Sequence, residues 1–320
     1  MSLTPNPSSE LDTLPKPPVS TTGLASENPG WSGWDVLQLV FLTVVAGFIF
    51  LPVVALTVQR LLYPNATLLQ VATYPLVTVL AQGLVYLLIL AFMILIVKRE
   101  PGQNFWQAIR WNWPQHWSFY LLAGVTLSFA LQAIARFLPM PKDLPMDRFF
   151  RTPREAWTLS LFSVSFAPLI EELFFRGFLY PVLVRRFGAA IAVLAATIGV
   201  SLIYAGRLGW TRGALLGIFV VGLGFTVRGF LDPVRARRFG LAIAVLATAA
   251  GFSLIHAPQL GRAWGPVLVI FMVGLALTIT RAVTKSVAAS LVMHMAYNGA
   301  LSILLFVGTD GFRHLERLNQ

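Results

Sequence analysis

Glu171 and Glu172 stand side by side inside Ser163–Tyr180, a stretch that is otherwise almost wholly apolar, and Arg176 follows one helical turn later. Insertion scales place an ionised side chain at the centre of a membrane helix at roughly 2.5–3.5 kcal/mol, so a chain that keeps two acids and an arginine there is using them. On a helix Glu172 and Arg176 share a face and neutralise each other, while Glu171 is turned about 100° away and points elsewhere. A partly desolvated carboxylate beside another acid suits a general base that takes a proton from water. His294 and Asn298 are also one turn apart, and two donors on one face suit an oxyanion. Phe252 and His256 repeat the spacing, which sets an imidazole near the end of its helix with an aromatic ring one turn before it. Polar groups on three separated apolar segments are explained economically if the segments converge on one intramembrane site.

The elements that must position these groups are membrane helices. Hydrophobic residues make up 57% of the chain, charged residues 12%, and the mean hydropathy is +0.73. Several apolar runs are long enough to cross a hydrocarbon layer of about 30 Å. The expected fold is all-α, a polytopic transmembrane bundle of about nine helices over residues 34–58, 71–97, 118–138, 156–184, 189–205, 213–227, 241–257, 265–280 and 286–307. Residues 1–30, rich in Ser, Pro and Thr, read as a disordered polar tail without the features of a signal peptide. Residues 31–155 hold the N-terminal helices, an interfacial tryptophan-rich segment over 104–117 and a loop over 139–155; residues 156–307 form the candidate catalytic bundle and 308–320 a polar C-terminal tail.

The absence of cysteine excludes disulfides, thiolate nucleophiles and Cys-based metal sites. The net charge of +11 is scattered through loops rather than gathered on one polar domain, so the expected partner is the lipid bilayer and not nucleic acid. His116 and His314 read as solvated, and the Phe174–Phe175 pair as lipid-facing or core.

A tandem repeat is the second large feature. Arg176–Ala205 recurs 52 residues later as Arg228–Ala257, with 21 of 30 positions identical, and a weaker second half extends the copies to 176–227 and 228–279. Each copy holds two crossings, so one added copy leaves the topology downstream unchanged. The acids lie before the first copy only; their counterparts before the second are Leu223 and Gly224. Tyr204 in the first copy corresponds to His256 in the second, and Val200 to Phe252.

Taken in order, Glu171-Glu-x-x-x-Arg176, Phe252-x-x-x-His256 and His294-x-x-x-Asn298 resemble the three motifs of the CPBP intramembrane proteases, which include the CAAX-processing endopeptidases and the bacterial Abi proteins. The resemblance covers roughly residues 156–307. It implies a multi-pass protein of a bacterial plasma membrane that hydrolyses a peptide bond of a membrane-associated peptide or protein. Glu171 would activate water, His256 would help to hold it, His294 with Asn298 would stabilise the oxyanion, and Glu172 with Arg176 would brace the helix. Prenylated C-terminal peptides, a peptide pheromone or bacteriocin precursor, and an unrelated membrane protein are all open as the substrate. A glutamate with two histidines also makes a zinc site conceivable, but the chain lacks H-E-x-x-H and Asn298 is better read as an oxyanion donor, so the expectation is a metal-free mechanism without cofactor.

One departure stands out. Relatives carry the motif histidine on the first helix after the acids, where this chain has Tyr204. Either the second hairpin fills the active-site slot with His256, or the first keeps it and the protein is a catalytically impaired scaffold or protective protein; the retained motif pattern favours the second hairpin. Transport is the weaker third reading, since the repeats are parallel and the acids are not repeated.

Overall fold

The computed structural model describes residues 29–141, 144–185 and 233–316, and among these there is no strand. Helix α1 (Gly33–Leu62) starts at a capping box in which Asp35 Oδ2 accepts from the Ser32 N–H at 2.8 Å and Ser32 Oγ accepts from the Asp35 N–H at 3.4 Å. A short α2 (Leu68–Ala72) precedes α3 (Pro75–Val97); Pro75 sits at the first helical position, where its missing N–H is no loss. The expected single span over 71–97 is therefore two helices, broken at Tyr74.

After α4 (Phe105–Ala108) the chain re-enters the bundle as α5 (Trp117–Ala135). The tryptophan-rich stretch is partly core rather than wholly interfacial: Phe105 and Ile109 are buried with Ile170, Leu173 and Phe178, while Trp106, Trp113 and Trp117 are exposed. A 3-10 turn (Pro145–Phe149) leads into α6 (Pro153–Val164).

The acid-bearing span, expected as one helix over 156–184, is interrupted twice. Pro168 has no N–H to donate and its ring opposes the carbonyl four residues back, so α6 ends at Ser165 (φ −114°, ψ −76°) before α7 (Phe166–Glu172) resumes. Leu173–Leu179 then widens into a π segment, in which the Tyr180 N–H donates to the Phe175 carbonyl five residues back. Pro181, in the first turn of α8 (Tyr180–Val184), accounts for the widening: a regular turn would press its ring on the Gly177 carbonyl.

Three long helices complete the bundle: α9 (Pro233–His256), α10 (Trp264–Thr284) and α11 (Val287–Gly308). Seven described segments are long and apolar enough to cross a membrane, namely Gly33–Leu62, Pro75–Val97, Trp117–Ala135, Pro153–Val184, Arg238–His256, Trp264–Thr284 and Val287–Gly308. The protein is an integral, multi-pass membrane protein. The expected spans over 189–205 and 213–227 lie outside the described residues, as does Tyr204.

At one end of the bundle Trp31 stacks on Phe178 with ring centroids 4.3 Å apart, and Val287 N–H donates to the Arg110 carbonyl at 3.1 Å. At the other end the Met146 N–H reaches the Gln259 carbonyl at 3.2 Å. The expected polar C-terminal tail is, over 309–316, a folded-back segment: Phe312 is buried and packs edge-on to Trp157, 5.2 Å between centroids. His314 in that segment is half exposed and meets Glu316 Oε1 at 2.9 Å.

Candidate active site

The three motifs meet. Glu171 and Glu172 close α7, Arg176 follows in the π segment, His256 ends α9, and His294 and Asn298 lie in α11. Arg176 and Glu172 are both 0% exposed, and the guanidinium Nη1 donates to Glu172 Oε1 at 2.7 Å. Its Nη2 donates to the Gly274 carbonyl at 3.0 Å, and its Cζ lies 4.6 Å from the Phe252 ring centroid. A charge pair so fully removed from solvent is tolerable only because both partners find further hydrogen bonds. Glu172 meets this condition a second time, because Oε1 also accepts from His294 Nδ1 at 2.9 Å. The acid therefore braces more than its own helix: it orients a histidine on α11.

Glu171 lies on the other face of the same turn, buried but for 8% of its surface. His256 Nε2 is 3.9 Å from Glu171 Oε1, and His294 Nε2 is 3.9 Å from Glu171 Oε2. Those separations are too long for direct hydrogen bonds and suit a water bonded to both sides. Both imidazoles are held by their other nitrogen. His256 Nδ1 is 2.8 Å from the Phe252 carbonyl and donates to it, which fixes the tautomer whose Nε2, facing Glu171, carries the lone pair. Phe252 packs on both imidazoles, 4.8 Å from the His256 ring and 5.6 Å from that of His294, and stands edge-on to Phe175 at 5.3 Å. The pattern of an aromatic one turn before the histidine thus has a packing purpose.

His256 on the second hairpin, therefore, is the histidine across from Glu171. The first copy contributes its opening residues, Arg176–Val184, and the second copy contributes the helix they pack on: Tyr180 and Leu183 form one apolar cluster with Ala244, Val245 and Ala247.

Asn298 Nδ2 donates to the Ser163 carbonyl at 2.7 Å. That carbonyl lies in the last turn of α6, where the break at Ser165 leaves acceptors without intrahelical partners. One amide N–H of Asn298 is committed there, and the other stays available.

Among the described residues, polar side chains outside the motifs also reach Glu171. Tyr86 on α3 donates its hydroxyl to Glu171 Oε1 at 3.0 Å, and Gln82 Nε2 donates to Tyr86 Oη at 2.7 Å. The signal that would have pointed to them is the familiar one, two polar residues one turn apart in an apolar helix.

As for metals, Glu171, His256 and His294 are zinc-type donors, and both histidines carry the second hydrogen bond that metal ligands use. Among the described residues, however, no group of three or more His, Cys, Asp or Glu side chains is gathered closely enough to hold an ion.

A family model described as type II CAAX prenyl endopeptidase, Rce1-like, matches the chain over residues 153–228 and again over 224–300. The first match holds Glu171, Glu172 and Arg176, the second His256, His294 and Asn298, and the two meet where the second copy of the repeat begins. No curated protein and no solved structure matches the chain.

Proposed function

We propose, from the premise that residues 153–300 belong to the Rce1-like family of type II CAAX prenyl endopeptidases, that this protein hydrolyses a peptide bond of a membrane-associated protein substrate. The observation that carries the reading is the convergence of Glu171 with His256 and His294, at 3.9 Å each, from three helices in a buried setting.

Glu171 takes a proton from a water held between its carboxylate and the His256 Nε2 lone pair. The oxygen attacks the scissile carbonyl carbon, and the carbonyl electrons move onto oxygen. In this scheme His294 Nε2 and the second N–H of Asn298 receive that oxyanion, with a proton on Nε2 balanced by the Glu172 carboxylate that holds Nδ1. Collapse of the intermediate breaks the C–N bond, and Glu171 returns its proton to the leaving amine. Catalysis in this scheme is metal-free. Arg176 and Glu172 act as braces.

The test uses purified protein in detergent and a prenylated CAAX peptide. Glu171→Ala and His256→Ala abolish cleavage while leaving the unfolding transition in place, and prior incubation with a strong zinc chelator leaves the parent fully active. Cleavage by Glu171→Ala at the parental rate rejects the base; loss of activity on chelation, restored by zinc, rejects the metal-free scheme.

A further inference from the structure

We infer that Tyr86 is a positioning residue for this hydrolysis: with Gln82 it fixes the rotation of the Glu171 carboxylate, so that one oxygen faces His256 and the other faces His294. The inference rests on Glu171 being the base. It begins with the direction of two hydrogen bonds. Gln82 Nε2 can only donate, and it donates to Tyr86 Oη at 2.7 Å. A phenol has a single proton, so that proton points to the remaining partner, Glu171 Oε1, at 3.0 Å. Reversing the relay would need a proton on the carboxylate and leave the amide donor competing with it. The chain of donors therefore runs one way, from α3 into the site.

Packing holds the phenol where the relay needs it. The Tyr86 ring lies 6.1 Å from Phe162, nearly parallel at 11°, and 6.1 Å from Phe166. These two rings flank the break at Ser165, one on α6 and one on α7, so Tyr86 is gripped by the helix that carries Glu171. Without the phenol the terminal torsion of a glutamate is broad and roughly two-fold, and either oxygen would be presented in several orientations. With Oε1 held, the carboxylate plane is set, and the 3.9 Å separations from His256 to Oε1 and from His294 to Oε2 persist together. Preorganisation of this kind lowers the barrier to the chemical step and leaves substrate binding alone.

Tyr86→Phe keeps the ring and its contacts with Phe162 and Phe166 and removes only the hydroxyl. The expected result is a kcat lower by about 10- to 100-fold, the range for loss of a hydrogen bond to a charged group, with KM changed by less than about twofold and an unaltered unfolding transition. Gln82→Leu lowers kcat in the parent and has no further effect in the Tyr86→Phe background, because the two act through one relay. A kcat for Tyr86→Phe within about twofold of the parent overturns the inference, as do additive losses in the double variant or a fall in activity that only tracks lost stability. The reading beneath it fails separately: an active Glu171→Ala removes the base, whereas an inactive Glu171→Ala beside a fully active Tyr86→Phe removes only the role of Tyr86.

Discussion

Replacing Arg176 by methionine isolates the energetics of the site, since it keeps an unbranched stem of similar reach and deletes the charge. In the parent, the guanidinium is sealed from solvent, bonded to Glu172 Oε1 at 2.7 Å and to the Gly274 carbonyl at 3.0 Å, and lies over Phe252. The Gly274 carbonyl keeps a partner after the change, because Thr278 Oγ1 donates to it at 2.6 Å. The dominant loss is thus the one left on Glu172, a carboxylate at 0% exposure that keeps the hydrogen bond from His294 Nδ1 but loses its only cationic partner on the same helix face. Stranding one member of a buried ion pair costs about 3–5 kcal/mol. Arg176→Met should therefore lower the free energy of unfolding by that amount, measured by denaturant titration in mixed micelles. Adding Glu172→Gln removes the stranded charge and should recover at least half of the loss, while peptide cleavage stays slow because His294 no longer has an anion on Nδ1. A cost below about 1 kcal/mol for Arg176→Met, or no recovery in the double variant, would refute the argument that these charges stabilise only as a pair.

Two further outcomes are expected. At Gly124 on α5 a Cβ would strike the Met293 carbonyl and come within 2.8 Å of Ala296 Cβ, whereas at Gly83 on α3 it would meet nothing within 4 Å. Gly124→Ala should cost about 1–3 kcal/mol and slow cleavage by displacing His294, while Gly83→Ala should be neutral or stabilising by up to about 1 kcal/mol; equal effects at both positions, by thermal unfolding in detergent, would show that helix approach does not decide them. Excising residues 185–236 joins Val184 to Arg237 in the register of the repeat and retains Glu171, His256, His294 and Asn298. The shortened chain should fold and cleave the same peptide, and an aggregated or inactive product on size-exclusion chromatography and peptide assay would refute the modular reading.

The motif residues were legible in the sequence because burial in an apolar helix makes each polar side chain conspicuous, and a shared spacing of one turn makes three such pairs cohere. Their partners were less so. Gln82 and Tyr86 have the same spacing, but in a helix whose other residues are nearly all apolar a glutamine and a tyrosine read as ordinary interhelical bonding, and only proximity in space joins them to Glu171. Ser163 offers a backbone carbonyl, which no side-chain pattern announces; it is exposed for Asn298 by the break at Ser165, two residues on, that Pro168 imposes. The π segment had its cause in plain view at Pro181, yet a helix tolerates proline in several ways, and the sequence does not choose among them. Phe312 shows the opposite error, where a composition of mostly polar residues outweighed one aromatic anchor with a buried place against Trp157.

The widened turn before Pro181 carries a mechanical corollary. Trp31 Nε1 donates to the Phe178 carbonyl at 3.0 Å, and Arg185 Nη1 donates to the Trp31 carbonyl at 3.0 Å, so the backbone just ahead of α1 is stitched to the rear of the acid-bearing span. Phe178 is about 10 Å along the helix from Glu171. Tension applied to the amino-terminal arm, by a bulky fusion or a tether, is thereby delivered to the rod on which the acids ride, and an indole some two turns away becomes a handle on the chemistry.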